Sequence, residues 1–262
     1  MKNFWDNFFY WVNRAAPARF ITWLCGWIAE CRWSPLKNFL IKNFIKMYHI
    51  NMAEVLEPDP TAYVNFNAFF TRELHPSAVA IDTAPDAFIS PAQGILSATY
   101  QLNDRFYCES KNLWLQGDKL VDPRYLNGRD KVKVVYLSPS DYHRVHAPCD
   151  GVVVEIKHSS GRLLSVAPNL LTVDPALLQK NDYVALTLLT EYGYVSVVLV
   201  GAMIVGSIEI KQDTAPYAVR RGDELGLFKL GSTVIIMAPE SIEMIDYQGR
   251  IQVGACIGKV KN

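Results

Sequence analysis

The sequence predicts an α+β protein in which amphipathic helices at the amino terminus are followed by a compact, mainly antiparallel β domain. Three observations lead there. Half of the 262 residues are apolar, enough to bury a sizeable core. The first fifty residues carry apolar side chains at helical intervals, broken by prolines. From about residue 89 the pattern changes to short β-rich runs separated by Gly, Pro, Asn and Asp. The division is expected near residue 75, giving a helical region 1–75 and a β-rich domain 76–262.

In chain order, Lys2 to Tyr48 reads as helices broken at Pro17 and Pro35, because proline removes a donor and clashes with the preceding turn. Ser34-Pro35 has the form of an N-cap followed by a first-turn proline. In the helix that follows, Leu36, Leu40, Ile41, Phe44, Met47 and Tyr48 share one face, Lys42, Asn43 and Lys46 lie opposite, and Phe39 falls outside the apolar stripe. Glu57-Pro58-Asp59-Pro60 is a break, and a short helix is expected through Phe66-Asn67-Ala68-Phe69-Phe70-Thr71-Arg72. Strands are expected over 94–101, 131–137, 151–157, 183–190, 194–210, 233–238 and 251–257. That spacing suits antiparallel sheets better than alternating β-α units. There is no internal repeat and no low-complexity tract.

The formal net charge is zero, so no global field points to nucleic acid. Residues 1–50 nevertheless hold seven Lys and Arg against Asp6 and Glu30, a local excess of +5. Trp5, Trp11, Trp23, Trp27 and Trp33 crowd the same region. An amphipathic basic helix either packs on its own protein or lies in a bilayer interface, and tryptophan favours the headgroup zone. The expectation leans to a membrane surface. The apolar run 20–29 is far short of the roughly 20 residues a spanning helix needs, and no secretory signal is visible. Five cysteines at irregular spacing (Cys25, Cys31, Cys108, Cys149, Cys256) read as core thiols in a reducing compartment.

Taken alone, Leu230-Gly231-Ser232-Thr233 is an ordinary turn entering a strand. His143, His146 and Cys149 lack a fourth ligand at sensible spacing, so no metal is expected. In conjunction, several segments in order resemble one family. Tyr136-Leu137-Ser138-Pro139-Ser140-Asp141-Tyr142-His143-Arg144-Val145-His146-Ala147-Pro148-Cys149 is similar to the histidine motif of the phosphatidylserine decarboxylase proenzymes. Val200-Gly201-Ala202-Met203-Ile204-Val205-Gly206-Ser207-Ile208 resembles their glycine-rich strand, Phe228-Lys229-Leu230-Gly231-Ser232-Thr233 their cleavage motif, and Phe69-Phe70-Thr71-Arg72-Glu73-Leu74 their upstream helical segment.

The resemblance implies a pyruvoyl-dependent carboxy-lyase that makes its own cofactor, with the catalytic machinery in 76–262. Ser232 Oγ attacks the Gly231 carbonyl, elimination breaks the resulting ester, and hydrolysis leaves a pyruvoyl group at position 232. The products are a large subunit 1–231 and a small subunit 232–262. The ketone then condenses with the amine of phosphatidylserine and draws off the electrons released with carbon dioxide, giving phosphatidylethanolamine. The resemblance assigns His146 as base of the processing triad and His143 as acid near the substrate, each with a near-neutral pKa. It also implies a peripheral protein, on the cytoplasmic face of a bacterial inner membrane; the oligomeric state is left open, a homodimer being one assembly considered.

Ser90-Pro91-Ala92-Gln93-Gly94 departs from the pattern, since Gln93 stands where the family carries the triad aspartate. Glutamine brings no charge to orient the histidine or stabilise its cation. Asn181-Asp182-Tyr183 stands where Asn-Glu-Arg is expected. An alternative is therefore a homologue that cannot cleave, working as a lipid-binding or regulatory protein. A third reading takes 147–157 as a carrier hairpin with Lys157 as the modified residue.

Overall fold

The computed structural model describes residues 18–110, 113–166, 168–202, 207–229 and 232–261. The expected break at Pro17, together with Trp5, Trp11 and Met203 to Gly206, lies outside the described residues. Helices α1 (Ala18–Ala29) and α2 (Ser34–Tyr48) open the described chain, and the short α3 (Phe66–Phe70) follows. Leu40, Ile41, Phe44 and Ile45 of α2 pack with Ala29, Phe66, Phe69 and Phe70 in a core of their own. Phe44 meets all three phenylalanine rings of α3 edge-on, 5.3 to 6.0 Å between centroids, the arrangement the ring quadrupole favours. Glu30, at the end of α1, accepts hydrogen bonds from the amides of Asn65 and Asn67. The helices thus hold one another through α3.

Three details differ from expectation. Ser34 lies inside α2 and Trp33 takes the cap position without a side-chain bond. Met47 is exposed, so the apolar stripe ends a turn early, while Phe39 is exposed as its position predicted. Lys37 is buried because the chain at 61–63 crosses it: its ammonium donates to the carbonyls of Thr61 (2.8 Å) and Tyr63 (2.7 Å). No helix among the described residues is long and apolar enough to cross a membrane.

Strands β1 (Ala87–Ile89), β2 (Gly94–Leu96), β3 (Tyr100–Gln101), β4 (Tyr107–Ser110) and β5 (Leu113–Gln116) lead to a one-turn helix α4 (Gly117–Leu120). Next come β6 (Lys131–Leu137), β7 (Arg144–His146), β8 (Gly151–Ser159) and a second one-turn helix, α5 (Pro168–Leu171). The remainder is β9 (Tyr183–Thr190), β10 (Gly193–Val200), β11 (Ile208–Ile210), β12 (Tyr217–Val219), β13 (Glu224–Phe228), β14 (Ser232–Ala238), β15 (Ile242–Met244), β16 (Gly249–Ile251) and β17 (Cys256–Val260). The strand ladders are antiparallel throughout. The α+β class with an antiparallel β domain is the observed architecture.

The main sheet runs β12-β8-β9-β10-β14-β6-β2-β16, with β3 also on β6. Smaller sheets β1-β17-β15 and β11-β13-β7 accompany it. All seven residues of β14 are buried, because β10 and β6 flank it and side chains cover both faces. The expected strand 194–210 proves to be β10 and β11, and 251–257 divides at Gly254, whose φ of 84° suits glycine. Lys157 lies within the nine-residue β8, its ammonium on the Lys119 carbonyl at 2.7 Å. Carriers present lysine at a hairpin tip, so the carrier reading fails.

Candidate active site

In β7, Arg144 and His146 project to one side while Val145 enters the core on the other. Across the ladder, β13 sets Glu224 opposite His146 and Leu227 opposite Arg144. The Arg144 guanidinium is fixed by Glu224 at 2.8 Å and Glu73 at 3.1 Å, and donates through Nε to the Thr71 carbonyl at 2.9 Å. That ties the chain following α3 to the histidine segment.

His146 is buried, and each ring nitrogen has a partner. Nδ1 lies 2.7 Å from the Gly222 carbonyl, which can only accept, so Nδ1 carries the proton. Nε2 is left as the acceptor, and the Tyr142 hydroxyl donates to it at 3.1 Å. Burial pulls the His146 pKa below its ordinary value, opposed by the Gly222 hydrogen bond and by the charges of Glu224 and Asp223. His143 is fully buried, lies against Phe70 with ring centroids 4.1 Å apart and planes tilted by 43°, and donates its Nδ1–H to the Asp141 carbonyl at 2.8 Å. Its Nε2 has no partner among the described residues. Burial pushes its pKa down to about 3. The expected near-neutral value therefore does not hold for His143, and His146 is drawn the same way, because desolvation penalises the imidazolium.

Ser232 is the first residue of β14, opposite Leu137 of β6. It is 1% exposed, and its hydroxyl has no hydrogen-bond partner among the described residues. Leu230 and Gly231 lie outside them. Phe228, four positions earlier, donates its amide to the His143 carbonyl at 3.0 Å, so β13 carries the approach to Ser232 along the histidine segment. No hydrogen bond joins Ser232 to His146, whose Nε2 is taken by Tyr142. Nor does one join Gln93 to His146. Gln93 is half-buried two residues after Pro91, whose carbonyl accepts the His146 amide at 2.8 Å, and it shares a cavity with Tyr142.

Cys149 is buried, its thiol pushed up to about 12, and no metal-binding group of three or more His, Cys, Asp or Glu side chains exists among the described residues. Asn181 is structural: its amide donates to the carbonyls of Leu164 and Gly201, both at 2.8 Å, and holds the start of the glycine-rich segment.

Against this geometry stand the comparisons with known proteins. The family model described as phosphatidylserine decarboxylase matches residues 66–259, and one described as PSD matches residues 8–49. The chain belongs to the phosphatidylserine decarboxylase family. The phosphatidylserine decarboxylase proenzyme of Bordetella petrii is 37% identical, over 98% of this chain and 99% of its own length. That of Saccharophagus degradans is 34% identical over 98% of both. That of Pectobacterium atrosepticum is 39% identical over 86% of this chain and 72% of its own. Membership brings the enzyme class, a pyruvoyl-dependent carboxy-lyase with a covalent pyruvoyl group.

Tyr142 and Gly222 went unrecognised as site residues in the sequence. Tyr142 lies within the histidine motif, but nothing in its spacing marks a hydroxyl that reaches a histidine four residues on. Gly222 contributes only a carbonyl, which every residue has.

Proposed function

We propose that this chain is a phosphatidylserine decarboxylase that cuts itself between Gly231 and Ser232 and works at a membrane surface. The reading is supported by two observations: a buried Ser232 hydroxyl without a hydrogen-bond partner among the described residues, and a His146 whose tautomer is fixed. A base must offer a lone pair, and the Gly222 carbonyl leaves that lone pair on Nε2. This answers half of the difficulty posed by Gln93: the triad aspartate selects the tautomer and stabilises the cation, and here a backbone carbonyl selects the tautomer. Glu224 and Asp223 supply negative charge toward the ring.

For cleavage, Tyr142 gives up the Nε2 lone pair, His146 takes the Ser232 proton, and Ser232 Oγ attacks the Gly231 carbonyl. Glycine before the serine allows the strained turn that attack demands. The pyruvoyl group so formed supplies a ketone that condenses with a primary amine and accepts the electron pair freed with carbon dioxide. His143, the acid that the resemblance places near the substrate, has an Nε2 without a partner among the described residues, from which a proton can pass to carbon after carbon dioxide leaves. The apolar wall of Phe70 keeps water from that step.

Membrane attachment is supported by the exposed aromatic surface of the helices: Phe20, Trp23, Trp27, Trp33 and Phe39 all face outward, Trp23 at 63% and Trp27 at 67%. A 590 Å³ groove is lined by Trp23 and Trp27 of α1 and by Leu163 and Lys229 of the β domain. The division at residue 75, the cytoplasmic face of a bacterial inner membrane and a homodimer belong to the same reading. Incubation with phosphatidylserine labelled in its carboxyl carbon tests it. Labelled carbon dioxide should be released by wild type and not by Ser232→Ala; equal release, or none from either, sinks the proposal.

A further inference from the structure

A polar cavity of about 230 Å³ lies between the end of α2 and the histidine segment, walled by His49, Arg72, Gln93, Tyr142 and Arg250 among others. Arg72 is 4% exposed. Its terminal nitrogens donate to carbonyls, the best being Ser140 at 3.0 Å, and its Nε has no partner among the described residues. No carboxylate lies within ion-pair distance of it among the described residues. Arginine stays charged even where burial lowers its pKa, and buried charges are normally paired. Arg250, half-exposed, reaches in from β16 and pairs with Asp141. The acid facing them otherwise is Glu54, whose carboxylate is held by Asn51 at 2.8 Å. At its far side the cavity meets Tyr142, and through it His146.

We infer that this cavity receives the phosphodiester of the aminophospholipid head group, with Arg72 and Arg250 as its ligands. Guanidinium forks match phosphate oxygens in pairs. The substrate's other anion, its carboxylate, is the wrong occupant: it must become neutral carbon dioxide, and two arginines holding it as an anion would stabilise the ground state and slow its loss. The phosphodiester keeps its charge throughout, so holding it strengthens binding without opposing the chemistry. The inference deepens the decarboxylase reading and rests on it.

The test is calorimetric titration of the full chain with glycerophosphoethanolamine, a soluble head group without acyl chains. Saturable binding is expected, weakened about ten-fold or more in both Arg72→Lys, which keeps the charge but loses the fork, and Arg250→Gln. KM for phosphatidylserine should rise by a similar factor, with the effect on KM rather than kcat. If Arg72→Lys does not fold, Arg250→Gln decides. Wild-type affinity in Arg250→Gln overturns the assignment. So does inorganic phosphate binding as tightly as the diester, which would mark a general anion site. Calorimetry needs no self-cleavage: arginine-dependent binding by a chain that never cuts itself would sink the cleavage reading alone. Cleavage with arginine-independent binding would sink only the head-group site.

Discussion

Gln93→Asp puts a carboxylate where the family keeps one, and the structure sets the size of the effect. In a serine-protease triad, exchanging the aspartate for its amide costs about 10⁴ in rate, much of it through the wrong tautomer. Here the Gly222 carbonyl, 2.7 Å from His146 Nδ1, already imposes the right tautomer. What remains is stabilisation of the imidazolium. A carboxylate that reaches within about 5 Å of the ring would, at an effective dielectric of about 20, contribute about 3 kcal/mol. Arg72 and Arg250, lining the same cavity as position 93, offset part of that. The net of about 1.5 to 3 kcal/mol corresponds to roughly 10- to 150-fold faster cleavage. The assay is the decay of full-length chain on denaturing gels from a synchronised start. An acceleration near 10⁴, or cleavage confined to the variant, would refute the role given to Gly222; no acceleration would show that position 93 does not act on His146.

Ser232→Ala should abolish cleavage while leaving thermal stability unchanged or raised by up to about 1 kcal/mol, because the hydroxyl it deletes is buried and has no partner among the described residues; a large loss of Tm would mean that Ser232 has a partner. Trp23→Ala with Trp27→Ala should weaken binding to anionic vesicles several-fold with Tm nearly unchanged, since both side chains are mostly exposed; unchanged sedimentation with vesicles would count against the membrane reading. His143 and His146 have folded pKa values below the ordinary 6.5, so the unfolded chain binds more protons as pH falls. Their contribution to stability should be complete above about pH 6.5 and decline below it. Denaturant midpoints from pH 8 to 4 would show this, and replacing both rings with Phe should flatten the slope.

How much was legible varies with the length of the pattern. Strands such as 131–137 and 183–190 could be read directly, because seven or eight residues of β-branched and apolar side chains leave few alternatives. β7 could not: its three residues sit in a polar motif and form a strand only because β13 offers a ladder. Ser232 and the histidines were legible as a resemblance, not as geometry, since spacing alone does not bring residue 232 near residue 143. The helical stripe was correct where α3 covers it and wrong at Met47, where nothing does. Lys37 was opaque because its partners are carbonyls some two dozen residues away. Arg72 was read as part of a helical signature, and its lack of a counter-ion could emerge only once Asp141 was seen to pair with Arg250.

Cutting before residue 232 would leave β14 hydrogen-bonded to β10 and β6 at the centre of the main sheet, so the two pieces should stay together until the sheet unfolds. Mass analysis of the same incubated sample under native and denaturing conditions bears most directly on self-cleavage with Gln93 in place. The expected result is one species in the native spectrum that separates on denaturation into 1–231 and 232–262, the smaller piece reacting with a hydrazide at its first residue. A chain that stays at full length after prolonged incubation, with no ketone at position 232, would contradict it.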